Sequence, residues 1–212
     1  MDKFTCIAAI ACPLPTENID TDQILPARYL KLPRKGEHGK VLFYDLRFDA
    51  EANERPEFPL NRPHWREAKI IVAGRNFGGG SSREAAVYAL LDFGIRCVIA
   101  PSFGDIFAQN ATKNGLLTAA LGETETNALM SMLEREPASI VTADLVSQSI
   151  ACGGQQFQFA IDPSRRDRLL NGWDDFDVTR SFRKEIADFR SADRKRRPWA
   201  VPHARGAGGM AS

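Results

Sequence analysis

The amino-acid sequence predicts an α/β domain with a central sheet that is at least partly parallel. Between residues 68 and 121, short apolar runs alternate with segments of helical periodicity, in the order strand, helix, strand, helix, strand. Both helical segments are followed by a glycine, Gly94 and Gly115, and glycine is a common C-terminal signal of helices. Strands that alternate with helices along a chain favour a parallel sheet. At 212 residues, the chain is long enough for one domain with a sizeable core.

The N-terminal part begins with a predicted strand and continues as an irregular stretch. The apolar run at 6–12, CIAAIAC, is too short for a secretion signal and is soon interrupted by prolines, so a first strand is the better interpretation. From 14 to 63 the chain carries prolines and scattered charges, and KVLFYDLRF at 40–48 fits either a strand or a short helix. An irregular stretch of this length in a compact domain often forms a functional surface.

The elements that follow are more regular. A serine leads each of the two central helical segments, and Glu84 is expected in the first turn of the first one, which predicts serine N-caps. We expect one domain over 1–190 and a basic, disordered tail over 191–212, because that end has little apolar surface to bury. The predicted elements are a strand at 68–74, a helix at 81–94, a strand at 95–101, a helix at 102–115, a strand at 116–121, a helix at 125–136, strands within 139–161 that turn at Gly153 and Gly154, and helices at 162–172 and 177–197.

Composition excludes several classes of function. The formal net charge of +1 gives no basis for binding a polyanion, so we expect no nucleic-acid partner. No apolar run reaches the roughly 18 residues of a membrane-spanning helix, so no membrane association is expected. The four cysteines are scattered without a C-x-x-C pair, which is typical of buried, reduced thiols in a cytoplasmic protein. They do not supply the ligands of an iron–sulfur cluster or a structural zinc, so no metal is expected on this chain.

The segment RNFGGGSSREAA at 75–86 combines a glycine triplet with two serines and an arginine, between a predicted strand and a predicted helix. Glycines leave backbone N–H groups accessible, a helix N-terminus carries partial positive charge, and arginine offers a planar fork to an oxyanion. The segment lacks the lysine of G-x-x-x-x-G-K-[ST], and Arg83 stands at the third glycine of G-x-G-x-x-G. One interpretation is an anion site for a carboxylate or a phosphate. The other is a tight structural turn with a serine cap.

A second polar segment, NIDTDQILPARYL, spans 18–30. Asp20, Thr21 and Asp22 are turn-forming residues whose side chains readily bond to nearby backbone. From the residue types alone, both turn formation and ligand contact stay open. Asp105 and Asn110, in SFGDIFAQNATKNG, are interpreted as mainly structural.

Together these motifs resemble the small subunits of 3-isopropylmalate dehydratase, the swivelling-domain half of the aconitase superfamily. The resemblance rests on NIDTDQI, NFGGGSSREAA and KNGLL in this order and spacing, and it extends from about residue 10 to 121. The terminal WDDFDVT also fits. The resemblance implies a three-layer β/β/α swivelling domain, like the C-terminal domain of aconitase, with a partly parallel central sheet.

The resemblance also implies a reaction and a partner. Members of the family act in leucine biosynthesis and interconvert 2-isopropylmalate and 3-isopropylmalate by dehydration and rehydration through isopropylmaleate. The [4Fe–4S] cluster belongs to a separate large subunit, where it acts as a Lewis acid on the leaving hydroxyl. We therefore expect a heterodimer with that large subunit, a small hydroxy-dicarboxylic acid as substrate, and no cofactor bound by this chain.

Matched residue by residue, the resemblance implies that Ser81 is the base that removes the proton from carbon. A serine hydroxyl is a very weak acid, so this role needs strong stabilisation of the alkoxide by the N–H groups of the loop, the helix start and Arg83. A plain N-cap is the alternative role for Ser81. The loop at about 29–38 is implied to help select the side group of the substrate. The implied substrate-binding residues are Ser82, Arg83, Asp20, Thr21, Asp22 and Arg28.

The sequence departs from the usual family pattern N-F-G-C-G-S-S-R-E-H-A at two positions. Gly79 replaces the cysteine and Ala85 replaces the histidine, and Val87–Tyr88 replaces a proline–tryptophan pair. Two alternatives to the main prediction follow from these departures. One is a sister hydro-lyase for a methyl-malate or citraconate-type substrate, and the other is a non-catalytic paralogue.

Overall fold

The computed structural model of the protein describes residues 1–33 and 36–200, and the chain divides into two compact units, Met1–Trp173 and Asp174–Ser212. The first unit contains a sheet of seven strands. The strands are β1 (Cys6–Leu14), β2 (Ile70–Ala73), β3 (Cys97–Ala100), β4 (Leu117–Ala120), β5 (Ile140–Asp144), β6 (Ser149–Cys152) and β7 (Gln155–Gln158).

The sheet is half parallel and half antiparallel, in the order β4–β3–β2–β1–β5–β6–β7. Strands β1 to β4 are parallel, with Ala11 of β1 opposite Ile70 of β2. On its other edge β1 pairs antiparallel with β5, and β6 and β7 continue as antiparallel strands. The long strand β1 therefore joins the two halves. The predicted α/β fold with a partly parallel sheet is confirmed.

Helices and short turns connect the strands. Glycines in the left-handed conformation end three of the longer helices, at Gly94, Gly115 and Gly172, and the first two are those that the sequence predicts. Short 3₁₀ turns lie at Ala27–Tyr29, Pro59–Asn61 and Pro198–Ala200. The helices are α1 (Thr21–Ile24), α2 (Glu37–Lys40), α3 (Tyr44–Arg47), α4 (Ala85–Phe93), α5 (Asp105–Asn114), α6 (Glu123–Arg135), α7 (Pro163–Asn171), α8 (Asp175–Ser181) and α9 (Arg183–Arg196).

Both faces of the parallel half of the sheet are buried, which explains why β2 is apolar at every position. Ile71 and Ala73 face a core cluster that includes residues of α1, α4 and α5. Ile70 and Val72 face the opposite cluster, which includes residues of α6 and α7. Burying one aliphatic side chain of this size stabilises the fold by about 1.5–3 kcal/mol, so these two clusters account for a large part of the hydrophobic stabilisation.

The irregular stretch from 14 to 63 folds into short helices instead of long loops. Within 40–48 the chain is helical at Tyr44–Arg47 and contains no strand, which resolves the ambiguity left by the sequence. Leu42 and Phe43, just before this helix, are fully buried. Packing of these apolar residues against the sheet therefore orders a segment whose composition alone indicates loops.

Several local predictions were wrong. Helix α4 begins at Ala85, its N-cap is Glu84, and no side chain caps it, so the predicted serine cap and first-turn glutamate are absent from this helix. The N-cap of α5 is Gly104 instead of a serine. Among the cysteines, Cys6 is exposed, while the other three are buried as predicted.

The second unit contains α8 and α9. The predicted single helix at 177–197 is interrupted at Phe182, which ends α8 and precedes α9. A capping box between Asp174 and Asp177 fixes the start of α8. The predicted tail, 191–212, begins inside α9, and its residues 201–212 lie outside the described residues.

Candidate functional site

Three polar segments meet where parallel strands end. The segments at 18–22, 75–79 and 102–104 follow β1, β2 and β3, which are neighbours in the sheet. Single parallel bridges join Asp20 to Gly79 and Phe77 to Phe103. The edge formed by the carboxyl ends of parallel strands is a common position for ligand sites in α/β proteins.

Backbone hydrogen bonds fix the glycine loop, residues 75–84, between its two neighbours. On one side, Gly78 N donates to Ile19 O at 2.7 Å and Thr21 N donates to Gly79 O at 3.1 Å. On the other side, Phe77 N donates to Ser102 O at 3.1 Å and Gly104 N donates to Phe77 O at 3.0 Å. The first half of the loop therefore continues the pairing of the sheet.

Gly78 is required by its surroundings. Its φ of 74° lies in the left-handed region, and a Cβ at this position would lie 2.2 Å from Cγ of Phe107. The ring of Phe107 also packs edge-on against Phe77, with centroids 5.4 Å apart. Gly79 differs, because its φ is not positive and a Cβ there would meet the side chain of Asn76 at 3.2 Å. The central glycine of the triplet is therefore open to small side chains, and the first is not.

The second half of the loop presents unpaired donors. No backbone N–H from Gly79 to Ala85 donates a hydrogen bond to any acceptor in the described part of the chain. Ser81 and Ser82 are exposed, and α4 follows at Ala85. A run of unpaired N–H groups that leads into a helix N-terminus suits an anion. This geometry corresponds to the anion-site interpretation and separates Ser81 from the capping position.

Side chains from two other segments hold the carbonyl groups of the loop. Thr21 Oγ1 donates to Ser81 O at 3.3 Å, and Asn110 Nδ2 donates to Ser82 O at 3.4 Å. With their carbonyls held in this way, the two serines have their N–H and hydroxyl groups left for a ligand. Thr21 is buried, so its hydroxyl is a fixed donor.

One turn further along α5, Asn114 extends the same set of contacts. Its Nδ2 donates to Glu84 Oε1 at 2.7 Å and to Asn110 O at 2.9 Å. Sequence reasoning missed Asn114, although the i, i+4 spacing of Asn110 and Asn114 places both on one helix face. That spacing is the signal that identifies them.

Arg83 forms an ion pair with Asp22, through a hydrogen bond from Nη1 to Oδ1. The Arg83 side chain is 23% exposed and that of Asp22 is 52% exposed, so the pair lies at the surface of the loop junction. The structure thus brings together three of the predicted substrate-binding residues, Thr21, Asp22 and Arg83, beside Ser81.

Asp20 has a structural role in this arrangement. Its Oδ1 accepts from Gln23 N at 2.7 Å, and its own N–H donates to Gln23 Oε1 at 2.9 Å, which forms a capping box at the start of α1. The turn-forming interpretation of this segment therefore applies to Asp20.

Arg28 is engaged away from the loop. Its guanidinium donates through Nη1 and Nη2 to the carboxylate of Asp45 and lies 4.7 Å from the ring centroid of Tyr29 and 5.5 Å from that of Tyr44. The hydrogen bonds from Arg28 hold the pKa of the Asp45 carboxyl below its usual value. No contact links Arg28 to the glycine loop among the described residues.

A buried histidine supports the helix that follows the loop. His38 is 3% exposed, and neither ring nitrogen has a hydrogen-bond partner among the described residues. Its ring lies 6.2 Å from that of Tyr88, and Nδ1 lies 3.8 Å from Asp92 Oδ2. Tyr88 and Asp92 are one turn apart on α4, so His38 packs along one face of that helix. The predicted selectivity loop at about 29–38 thus contacts α4, although 34 and 35 lie outside the described residues.

The described residues form neither a metal-binding cluster nor a membrane-spanning helix. Residues 1–33 and 36–200 contain no group of three or more His, Cys, Asp and Glu side chains that is placed to hold a metal ion. Nor does any helix within those ranges have the length and apolar character needed to cross a membrane.

Comparison with known proteins gives a consistent result. The family described as the aconitase C-terminal domain matches residues 1–124. The chain is 48% identical over 202 residues to the 3-isopropylmalate dehydratase small subunit of Rhodospirillum centenum, covering 95% of this chain and 100% of that protein. It is 46% identical over 200 residues to the protein of the same name from Parvibaculum lavamentivorans, covering 94% of this chain and 100% of that relative.

A solved structure adds agreement in fold. The crystal structure of 3-isopropylmalate dehydratase from Methanocaldococcus jannaschii matches with a TM-score of 0.63 at 27% identity. The match covers 87% of this chain and 99% of that chain. The aconitase-type fold predicted from the sequence is therefore confirmed.

Proposed function

Because the chain belongs to the family of 3-isopropylmalate dehydratase small subunits, which are hydro-lyase subunits of leucine biosynthesis, we propose that its glycine loop binds the substrate and removes its proton. The observation that carries this proposal is the run of unpaired N–H groups from Gly79 to Ala85, with Arg83 in the same loop. Such donors, fixed before a ligand arrives, stabilise negative charge without a cost of reorganisation.

Ser81 is the proposed catalytic base. As an alkoxide it takes a proton from the carbon of 2-isopropylmalate that lies next to the carbon bearing the hydroxyl group. The hydroxyl group leaves as hydroxide and isopropylmaleate forms. In the rehydration, hydroxide adds to the carbon that lost the proton and Ser81 returns its proton to the other carbon, which gives 3-isopropylmalate and restores the alkoxide. The neighbouring N–H groups and the guanidinium of Arg83 lower the free energy of the alkoxide. Thr21 donates to the backbone carbonyl of Ser81 and not to its side chain, so the Ser81 hydroxyl group stays available for this step.

Ser82 and Arg83 are the proposed ligands of a substrate carboxylate. Arginine can donate two parallel hydrogen bonds to a carboxylate, which fixes orientation as well as position. Asp20, Thr21 and Asp22 border the same junction and complete the proposed binding set. Arg28 is the proposed second carboxylate ligand, and to act in this way it has to exchange its present partner, Asp45, for the substrate.

The proposed partner is the iron–sulfur large subunit of the dehydratase. The cysteines of this chain do not fit a cluster, because Cys12, Cys97 and Cys152 are buried apart from any group of metal ligands in the described residues. We therefore assign the [4Fe–4S] cluster to the large subunit, where it supplies Lewis-acid chemistry at the hydroxyl group. A cytoplasmic location is proposed as well, since the proposed partner and substrate belong to amino-acid biosynthesis.

The two alternatives raised by Gly79 and Ala85 are not favoured. The relatives at 48% and 46% identity are matched along 100% of their length and carry the dehydratase small-subunit name. Neither a citraconate-type hydro-lyase nor a non-catalytic paralogue is named among these relatives.

The test is reconstitution with the large subunit followed by Ser81→Ala. Turnover of 2-isopropylmalate should fall by about 100-fold or more, the range expected for loss of a positioned base. Ser131→Ala is the matched control, because Ser131 is exposed and its hydroxyl donates only to Asn127 O of its own helix. Both variants should co-purify with the large subunit and unfold at the wild-type temperature. Wild-type turnover by Ser81→Ala would refute the catalytic role of this serine.

A further inference from the structure

A cavity of about 380 Å³ lies at the end of β1, and none of its lining residues belongs to the glycine loop. It is bordered by the turn at Pro15 and Thr16, by the segment from Arg55 to Trp65, and by α6. Cavities of this size are typical of small-molecule sites, which combine an apolar wall with a few polar groups.

The inner wall of this cavity is apolar. Leu14, Phe58 and Trp65 contribute to it and are 2%, 9% and 4% exposed. The indole Nε1 of Trp65 is buried and has no hydrogen-bond acceptor in the described part of the chain. Most buried polar groups in proteins are paired, so the unpaired indole N–H of this wall residue is unusual.

Charged groups of both signs surround this wall. Arg55, Glu57 and Glu134 line the cavity, are exposed, and form no side-chain hydrogen bond or ion pair with any described residue. Arg66, close by in the chain, is instead paired with Glu54. The cavity thus has cationic and anionic side chains without a hydrogen-bonded partner at the same opening, although the charge of Arg55 also acts on the carboxyls of Asp45 and Asp49.

Arg62 connects the charged and apolar parts of the cavity. Its guanidinium lies 5.5 Å from the centroid of the Trp65 ring and donates through Nη2 to Glu57 O at 3.1 Å. Two contacts hold this cation in place over the aromatic wall, and its remaining N–H groups stay available to an anion.

We propose that this cavity binds a small zwitterion with an apolar side chain, of the α-amino-acid class. The arginines receive the carboxylate, Glu57 and Glu134 receive the ammonium group, and the wall of Leu14, Phe58 and Trp65 receives the side chain. A dicarboxylate such as the proposed substrate fits poorly, because one of its charges would meet the glutamates. The cavity is therefore a second site, chemically distinct from the glycine loop.

The test is calorimetric titration of the full chain, alone and in complex with the large subunit, with L-phenylalanine, L-leucine and L-methionine. Phenethylamine and 3-phenylpropionate are the matched probes, since each keeps the ring of phenylalanine and lacks one charge. At least one amino acid should bind saturably to both preparations. If L-phenylalanine binds, its two analogues should bind at least 10-fold more weakly.

Two variants locate the site. Arg55→Gln and Glu134→Gln should each weaken binding of the amino acid at least fivefold, and both should fold, because neither side chain forms a described hydrogen bond or ion pair. Arg96→Gln is the control, since Arg96 is exposed and lies before β3, outside the cavity. Absence of saturable binding in both preparations would overturn the proposal, as would unchanged affinity in both variants. Binding that disappears in the complex would also overturn it, because the large subunit would then cover the cavity.

Discussion

Arg83 donates a hydrogen bond to the carboxylate of Asp22, which lies 61 residues earlier in the chain. The contact links the two polar segments that the sequence singles out, and it does so at the surface of the glycine loop. A substrate carboxylate that reaches Arg83 has to share the guanidinium with Asp22 or replace it. Under the proposed role of Arg83, affinity for the substrate depends on the second pair of N–H donors that arginine offers.

Arg83→Lys should raise KM for 2-isopropylmalate by about 10-fold or more and change kcat less. Lysine keeps the charge but lacks the planar fork, and hydrogen bonds to charged groups contribute about 1.5–3 kcal/mol. Arg75→Lys is the control in the same loop, because Arg75 is exposed and pairs with Glu17. Steady-state kinetics of the reconstituted pair measure both. Equal KM values for Arg83→Lys and wild type would contradict the binding role.

Asn110→Asp should lower kcat/KM by about 10-fold, because it removes the donor to Ser82 O and leaves a carboxylate near a carbonyl. Gln109→Glu introduces the same charge at the preceding residue, which is exposed and has no described side-chain partner, so it should change kcat/KM little. Thermal unfolding should shift by only about 2–4 °C in either variant. Equal losses in the two variants would mean that charge alone causes the effect.

Gly78→Ala should destabilise the chain by about 3 kcal/mol, and Gly79→Ala by less than about 1 kcal/mol. The first change places a Cβ 2.2 Å from Phe107 in a left-handed backbone conformation, and overpacking adds to the backbone strain. The second change meets only the flexible side chain of Asn76, at 3.2 Å. Urea unfolding of the two variants measures the difference. A smaller loss for Gly78→Ala than for Gly79→Ala would contradict the packing described for the loop.

Arg28→Gln should raise the pKa of Asp45 toward the usual value of about 3.9, because the guanidinium is the main cause of its lowering. A carboxyl with a lowered pKa in the folded state stabilises the fold above its unfolded pKa, and this stabilisation fades as the pH falls through the folded pKa. The variant and wild type should therefore converge in stability in acid. An NMR titration of the Asp45 carboxyl gives the midpoints, and identical midpoints would contradict the ion pair.

Strands β2 and β3 could be predicted because each is short, apolar and followed by a helical segment that ends at glycine. The pairing partner of β5 could not be predicted in this way. Its antiparallel pairing with β1 places Ile7 opposite Ala143, and no local pattern states which edge of which strand is free. The place of β5 in the sheet is decided by its pairing with β1 in the folded chain and not by the strand propensity of its own residues.

At the site, the residue types could be predicted but their partners could not. Thr21 reaches Ser81 only because β1 and β2 are parallel neighbours in the sheet. Neither segment on its own indicates this order of the strands. The prediction of a serine N-cap for α4 was wrong for a related reason. The loop is held by backbone pairing as far as Gly79, so Ser81 and Ser82 remain in the exposed turn, and the helix begins only at Ala85.

The bridges on both sides of the glycine loop also determine how Ser81 can move. Because Phe77 and Gly79 are hydrogen-bonded to the segments after β3 and β1, the base of the loop cannot open like a lid without breaking bonds on both sides. The base of the loop therefore moves only together with the sheet. Displacement of Ser81 relative to the strands is then confined to the tip of the loop, residues 80–84, where no backbone N–H donates a hydrogen bond to another described residue.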